Sequence, residues 1–163
     1  MRTKQKQMAR DRANSIDYFE KLDTPEKNYW FGFLMADGWI CKREYKDANR
    51  MPYLAMELQK RDGSILAKLK KAIGFGYLYF RRKRKAKFIR ENRVIDSAGS
   101  IGYRINSQSV FNDLKSHGFL EKKTGKEELN LNKSLYPWSR LLGFFDGDGT
   151  ISFNNDRIRE ESG

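Results

Sequence analysis

Thiol and imidazole groups are nearly absent from these 163 residues: there is one cysteine, Cys41, and one histidine, His117. A single cysteine excludes an intrachain disulfide, and the pair is too few for a Cys/His zinc site within one chain. Cys41 reads as a packing residue, because a nucleophilic role would need a histidine that the local sequence does not supply. His117 reads as a surface residue at a helix end, where its charge suits the macrodipole. No apolar run reaches the ~18 residues of a membrane span, and no secretory signal is visible, so the expected compartment is reducing and intracellular. Acidic residues are also in deficit. Lys and Arg number 33 against 21 Asp and Glu, a formal charge of +12. Such an excess points to a polyanionic partner, since neutralising phosphates releases counterions; a ribosome-like or merely supercharged surface is the other reading. Hydrophobic residues make up 39%, enough for a packed core and too many for wholesale disorder.

The chain divides by pattern. Residues 1–16 are polar and basic, without an apolar stripe, and read as a flexible arm able to track phosphates. Thr24 followed by Pro25 marks a helix start, and the apolar run from Tyr29 to Ala36 predicts a helix buried on several sides, ending at Asp37-Gly38 with Gly38 as a left-handed cap. Residues 39–45 and 53–59 predict strands, the second by strict alternation of Leu54, Met56 and Leu58 with polar neighbours. A helix over 65–73 closes at Gly74. Strands over 76–82 and 99–106 flank the basic run Arg81-Arg82-Lys83-Arg84-Lys85-Ala86-Lys87, and a third helix spans 109–117. The order is α-β-β-α-β-β-α, an antiparallel α+β arrangement over 17–120. Residues 121–134 form a charged linker, and a new apolar helix from Pro137 to Asp148 begins a segment over 135–163.

Two segments repeat. Phe31-Gly32-Phe33-Leu34-Met35-Ala36-Asp37-Gly38 corresponds to Leu142-Gly143-Phe144-Phe145-Asp146-Gly147-Asp148-Gly149, an offset of 111 residues (37 to 148). The small residues Gly32 and Ala36, and Gly143 and Gly147, lie one turn apart on one face, so the two helices can meet backbone to backbone. Asp37 and Asp148 would then meet at the bottom of that contact. Each carboxylate faces the negative end of its own helix and a like charge beside it, an arrangement that calls for a cation. Carboxylate oxygens suit Mg2+, which keeps water and phosphate as its other ligands and can stabilise the attacking and leaving oxygens of phosphodiester hydrolysis.

This pair resembles the two motif copies of single-chain LAGLIDADG homing endonucleases. The words around it, from Phe19 to Trp30 and Leu135-Tyr136-Pro137, are similar to those of phage and bacterial members, and the resemblance spans residues 17 to about 155. It implies a saddle of antiparallel strands astride the DNA major groove, motif helices packed between two half-domains, and Mg2+-dependent cleavage of both strands. It implies metal-binding, catalytic acids at Asp37 and Asp148. It also makes Lys123, in His117-Gly118-Phe119-Leu120-Glu121-Lys122-Lys123-Thr124, a supporting catalytic candidate near the scissile phosphate. Met35 departs from the motif at a structural, variable position. Only 14 residues follow Gly149 in a chain of 163, so the second half-domain is expected to be cut short, as a truncation or fragment, or completed by a second chain. A cytoplasmic, nucleoid-associated location in a bacterial or phage-infected cell, and intron or intein mobility, are expected by the same likeness.

Rival readings narrow the rest. A single motif helix would be an ordinary core helix with an acidic end; the second copy favours paired acids. Asp146-Gly147-Asp148-Gly149 is not a calcium loop, because Ile151 and Arg157 fall where glycine and glutamate are needed. Gly74-Phe75-Gly76 lacks the third glycine of a nucleotide fingerprint. The basic run is read as a strand pair and turn facing DNA rather than a solvated loop. Tyr53, Glu57, Gln59, Arg104 and Asn106 sit on the strand faces opposite the core residues, where base edges would be read. The function expected is site-specific cleavage of double-stranded DNA. The alternatives are a non-cleaving DNA- or RNA-binding regulator or maturase on the same scaffold, and an inactive remnant.

Overall fold

Thr24 and Pro25 begin the first helix as the sequence predicts. The Thr24 hydroxyl accepts the Lys27 N–H at 3.2 Å, satisfying one of the donors a helix start leaves open, and Pro25 takes a position where no N–H is needed. The helix, α1 (Pro25–Asp37), buries every residue from Trp30 to Met35. Its end corrects the expectation. Gly38 is extended (φ −84°, ψ 164°), not left-handed, and is the first residue of a strand. Glycine suits the position for another reason: a Cβ there would lie 2.7 Å from the Leu34 carbonyl oxygen.

The structure, a computed structural model, describes residues 16–42, 51–82, 84–88, 93–97, 99–121 and 128–149, with the backbone alone for 84–88 and 93–97. After α1 come β1 (Gly38–Cys41), β2 (Tyr53–Gln59), α2 (Gly63–Ile73), β3 (Tyr77–Arg81), β4 (Arg84–Phe88), β5 (Arg93–Ser97), β6 (Ser100–Asn106), α3 (Gln108–Ser116) and α4 (Pro137–Asp148). Four strands form an antiparallel sheet in the order β1-β2-β6-β3. The strand order departs from the expected two strands between α2 and α3, because β4 and β5 pair with each other as a separate two-stranded sheet. The basic run, read from the sequence as a strand pair and turn, contributes β4, and its partner β5 lies further along at Arg93–Ser97.

One face of the four-stranded sheet holds the core. Leu54 pairs with Ile105 and Met56 with Tyr103, all of them essentially buried. Over them pack Phe31 and Leu34 of α1, Leu66 and Leu69 of α2, and Leu114 of α3. Each such side chain, fully removed from water, contributes roughly 1.5–3 kcal/mol of transfer free energy. The buried Tyr103 hydroxyl donates to the Phe75 carbonyl, and burial pushes its ionisation well above the usual phenol range. Ser107 caps α3 by accepting the Val110 N–H at 3.2 Å.

His117 does more than end α3. Its Nε2 lies 2.9 Å from the Phe19 carbonyl and 3.2 Å from that of Glu20; both oxygens only accept, so Nε2 carries the proton. The half-buried ring also meets Phe31 edge-on. It therefore ties the segment before α1 to the end of α3. All but the last residue of the basic segment 1–16, and residues 43–50, lie outside the described residues.

Candidate active site and sheet face

The small residues of the two repeats meet as the spacing requires. A Cβ on Gly32 would stand 2.0 Å from the Arg140 carbonyl oxygen, and one on Gly143 would stand 1.9 Å from that of Tyr29. These contacts are related by an internal two-fold: Tyr29 and Arg140, like Gly32 and Gly143, differ by 111 positions. The same symmetry relates the next contacts, Phe144 N beside Gly32 and Phe33 N beside Gly143, each 3.0 Å from the added Cβ. Further down, a Cβ on Gly147 would come within 2.4 Å of Ala36 Cβ and 3.6 Å of Asp37 Oδ2. The half-buried Asp37 carboxylate thus lies against the residue that precedes Asp148, which is exposed at the end of α4. Two negative helix ends and two acids share one foot.

The donor set consists of hard oxygens, as Mg2+ prefers. Among the described residues no group of three or more His, Cys, Asp or Glu gathers, so any cation here would keep much of its coordination for water or phosphate. Lys123 lies outside the described residues.

Above the acids the two-fold breaks down. Tyr29 donates to Asp146 Oδ2 across the interface at 2.9 Å; burial first, and then Asp146, push this phenol up to about 12. The symmetry-related positions hold Arg140 and Met35, which cannot repeat that bond. Arg140 instead is 4% exposed and pairs with no carboxylate among the described residues. Its Nη2 donates to Asn28 Oδ1 at 3.0 Å and its Nη1 to the Leu129 carbonyl at 3.1 Å. The guanidinium carbon lies 4.9 Å from the Phe31 ring centre, and Nε is buried without a hydrogen-bond partner among the described residues. Burial holds its pKa below the usual guanidinium range. Asn28, fully buried, donates to the carbonyls of Leu22 at 2.7 Å and Thr24 at 2.9 Å and also accepts from Ser134 Oγ at 2.7 Å. This polar clasp locks α4 and the linker onto α1. Sequence reasoning missed it; the available signal was an arginine on the same helical face as Gly143 and Gly147.

The second set of predicted residues lies on the sheet face away from the core. Register places Tyr53 opposite Asn106 and Glu57 opposite Gly102, with Arg104 flanked by Ala55 and Tyr77. Gln59 is exposed at the end of the row. The Arg104 guanidinium carbon lies 3.6 Å from the centre of the Tyr53 ring, and its Nε donates to Asn106 Oδ1 at 3.0 Å. Glu57 accepts from the Ser100 hydroxyl and from Tyr79 Oη at 3.5 Å, and it pairs with Arg81 Nε at 3.2 Å. Burial, followed by the Glu57 charge, raises the Tyr79 pKa. Tyr79 and Ser100 were not singled out by sequence. Gly102 explains the tyrosine's seat, because a Cβ there would come 2.1 Å from the Tyr79 ring. Arg82 is exposed just beyond β3. Arg84, Lys85 and Lys87 fall on the backbone of β4, with side chains outside the description, and Lys83 lies outside the described residues altogether. Asp37 runs directly into β1, whose Trp39 pairs with Ala55 on this same outer face, so the acids sit at one edge of it.

No family model matches this chain, and no curated protein matches it. Solved structures do. The homing endonuclease I-WcaI bound to its DNA recognition sequence overlays with a TM-score of 0.53 at 13% identity, over 89% of this chain and 57% of that one. The LAGLIDADG meganucleases I-CpaMI and I-AabMI, each bound to uncleaved DNA, overlay with TM-scores of 0.39 and 0.38, both at 18% identity; the matches cover 61% and 56% of this chain and 33% and 30% of theirs. The chain therefore spans a third to just over half the length of these structures. The fold is α+β, consistent with a LAGLIDADG half-domain.

Proposed function

We propose that this chain is a site-specific double-stranded DNA endonuclease, in which the outer sheet face grips the duplex and Asp37 and Asp148 hold Mg2+ beside the scissile phosphate. One observation carries the reading: the glycine contact of α1 and α4 sets the Asp37 carboxylate against Gly147, next to Asp148, at the edge of that face. A bound cation would supply charge stabilisation for the oxygens of phosphodiester hydrolysis. The chain's own part is to present two carboxylates from helix ends too closely packed to drift apart, and to aim them where the sheet delivers the backbone. Lys123 is assigned a supporting place at the phosphate by family resemblance.

The saddle needs a second sheet. Phe31 and Leu34 are fully buried, while their two-fold counterparts Leu142 and Phe145 are 55% and 42% exposed, with Trp138 beyond them at 80%. That apolar face supports cover by a sheet of the same kind, from a second chain or a further segment. On the same helix Phe144 is half-buried against the existing core and Leu141 is half-buried too.

The test is Mg2+-dependent nicking of a randomised plasmid library by the full chain and by Asp37→Asn. The wild type should nick, and the variant should retain DNA affinity while losing cleavage. The outer sheet face, where Arg81 and Arg104 lie over tyrosine rings, supports a second reading that needs no cation, a non-cleaving DNA-binding protein on this scaffold. Salt-sensitive binding with no Mg2+-dependent nicking by the wild type would decide for it.

A further inference from the structure

Arg81 and Arg104 are held in the same unusual way. Among the described residues each makes its polar contact through Nε, the inner nitrogen: Arg81 Nε pairs with Glu57 at 3.2 Å and Arg104 Nε donates to Asn106 at 3.0 Å. Each guanidinium also lies against a tyrosine on the same face, Arg104 at 3.6 Å from the Tyr53 ring centre and Arg81 at 5.9 Å from that of Tyr79. A guanidinium fixed at Nε keeps its outer pair, Nη1 and Nη2, as a two-pronged donor of set direction. Side-chain entropy that a free arginine would lose on binding is already spent. Arginines that only follow phosphates gain little from such anchoring, since a mobile charge serves equally well. Two parallel donors match one base edge in the major groove, the O6 and N7 acceptors of guanine.

We infer that Arg81 and Arg104 are guanine-reading residues, each aimed by its Nε partner, and that Glu57 and Asn106 position them rather than touch bases. This rests on the duplex-binding reading above and adds its sequence preference. Glu57 fits the positioning role because its carboxylate is engaged from β3 and β6 together, by Tyr79, Arg81 and Ser100. The register also sets a spacing. Arg81 pairs with Ser100, and Arg104 lies four residues further along β6, roughly 14 Å at the usual strand rise. At ~3.4 Å per base step along a strand of B-form DNA, strands that follow the groove place the two guanines about four steps apart.

The experiment is selection of bound duplexes from a randomised double-stranded library by the full chain in EDTA, followed by sequencing. The wild type should enrich two guanines about four base pairs apart. Arg81→Ala should erase the preference at one of these positions, a discrimination of about 5- to 150-fold, and leave the other intact; Arg104→Ala should do the converse. The surviving preference also shows that each variant is folded. Glu57→Gln should weaken the preference at the Arg81 position alone. Uniform loss of affinity for every sequence, with a salt slope reduced by about one charge, would identify phosphate contacts and overturn the assignment. A guanine preference unmoved by either substitution would overturn it too, while leaving duplex binding in place. If no duplex is retained by the wild type, DNA binding itself fails and the assignment falls with it.

Discussion

Replacing Gly143 with alanine sets two effects of opposite sign against each other. In an exposed helix the change would stabilise by about 0.8–1 kcal/mol, because glycine is the poorer helix former. Here the new methyl would stand 1.9 Å from the Tyr29 carbonyl oxygen and 3.0 Å from Phe33 N, backbone atoms that cannot swing aside. Relief requires α1 and α4 to separate by more than an ångström, since an ordinary carbon–oxygen contact is about 3.3 Å. Overpacking of this kind costs typically 1–3 kcal/mol, so it offsets or outweighs the propensity gain, and the net effect is a loss of up to about 2 kcal/mol. Urea denaturation of wild type and variant reads this directly. The separation also moves Asp148 relative to Asp37, and a displacement near 1 Å costs on the order of 100-fold in a positioned reaction. Nicking should therefore fall far more than DNA affinity. A Gly143→Ala protein that is more stable than wild type and nicks at the same rate would refute the backbone contact as the origin of the site.

The clasp and the cross-helix tyrosine give two more tests. Asn28→Ala removes the acceptor of Arg140 Nη2 and Ser134 Oγ, leaving a buried charged donor short of a partner; the expected cost is about 3 kcal/mol in denaturant unfolding, and an unchanged midpoint would contradict the role of the clasp. Tyr29 is raised from 10 to about 12, by burial first and then by its bond to Asp146. Its contribution to stability is therefore present below pH 10 and lost as pH rises towards 12. Unfolding measured between pH 9 and 12 should show a decline that Tyr29→Phe makes shallower; half-buried Tyr18 and buried Tyr103, raised in the same direction, account for the remainder.

Much of this arrangement was legible from local rules. The Thr24-Pro25 start, the alternation of Leu54 and Met56, and Gly74 closing α2 with φ 73° each follow from residue chemistry that acts within a few positions. The helix pair was legible because the repeat carried its small residues and its acids together. What escaped depended on distant partners or on backbone alone. Nothing in its own stretch of sequence marks Arg140 as buried; Asn28 and the Leu129 carbonyl come to it from other elements. Glu57 reads as a lone acid until β3 and β6 deliver Arg81, Tyr79 and Ser100. The basic run is legible as a strand pair, but β5 lies beyond it at Arg93–Ser97, and Gly38 reads as a left-handed cap because the strand predicted from 39 begins one residue earlier.

The central claim, that Asp37 and Asp148 share one cation, is tested most directly by titrating the full chain with Mn2+, a paramagnetic stand-in for Mg2+, and following free ion by electron paramagnetic resonance. One ion should bind per chain, competed by Mg2+, and either Asp37→Asn or Asp148→Asn alone should abolish it. Binding that survives each substitution unchanged would show that the two carboxylates do not form a common site.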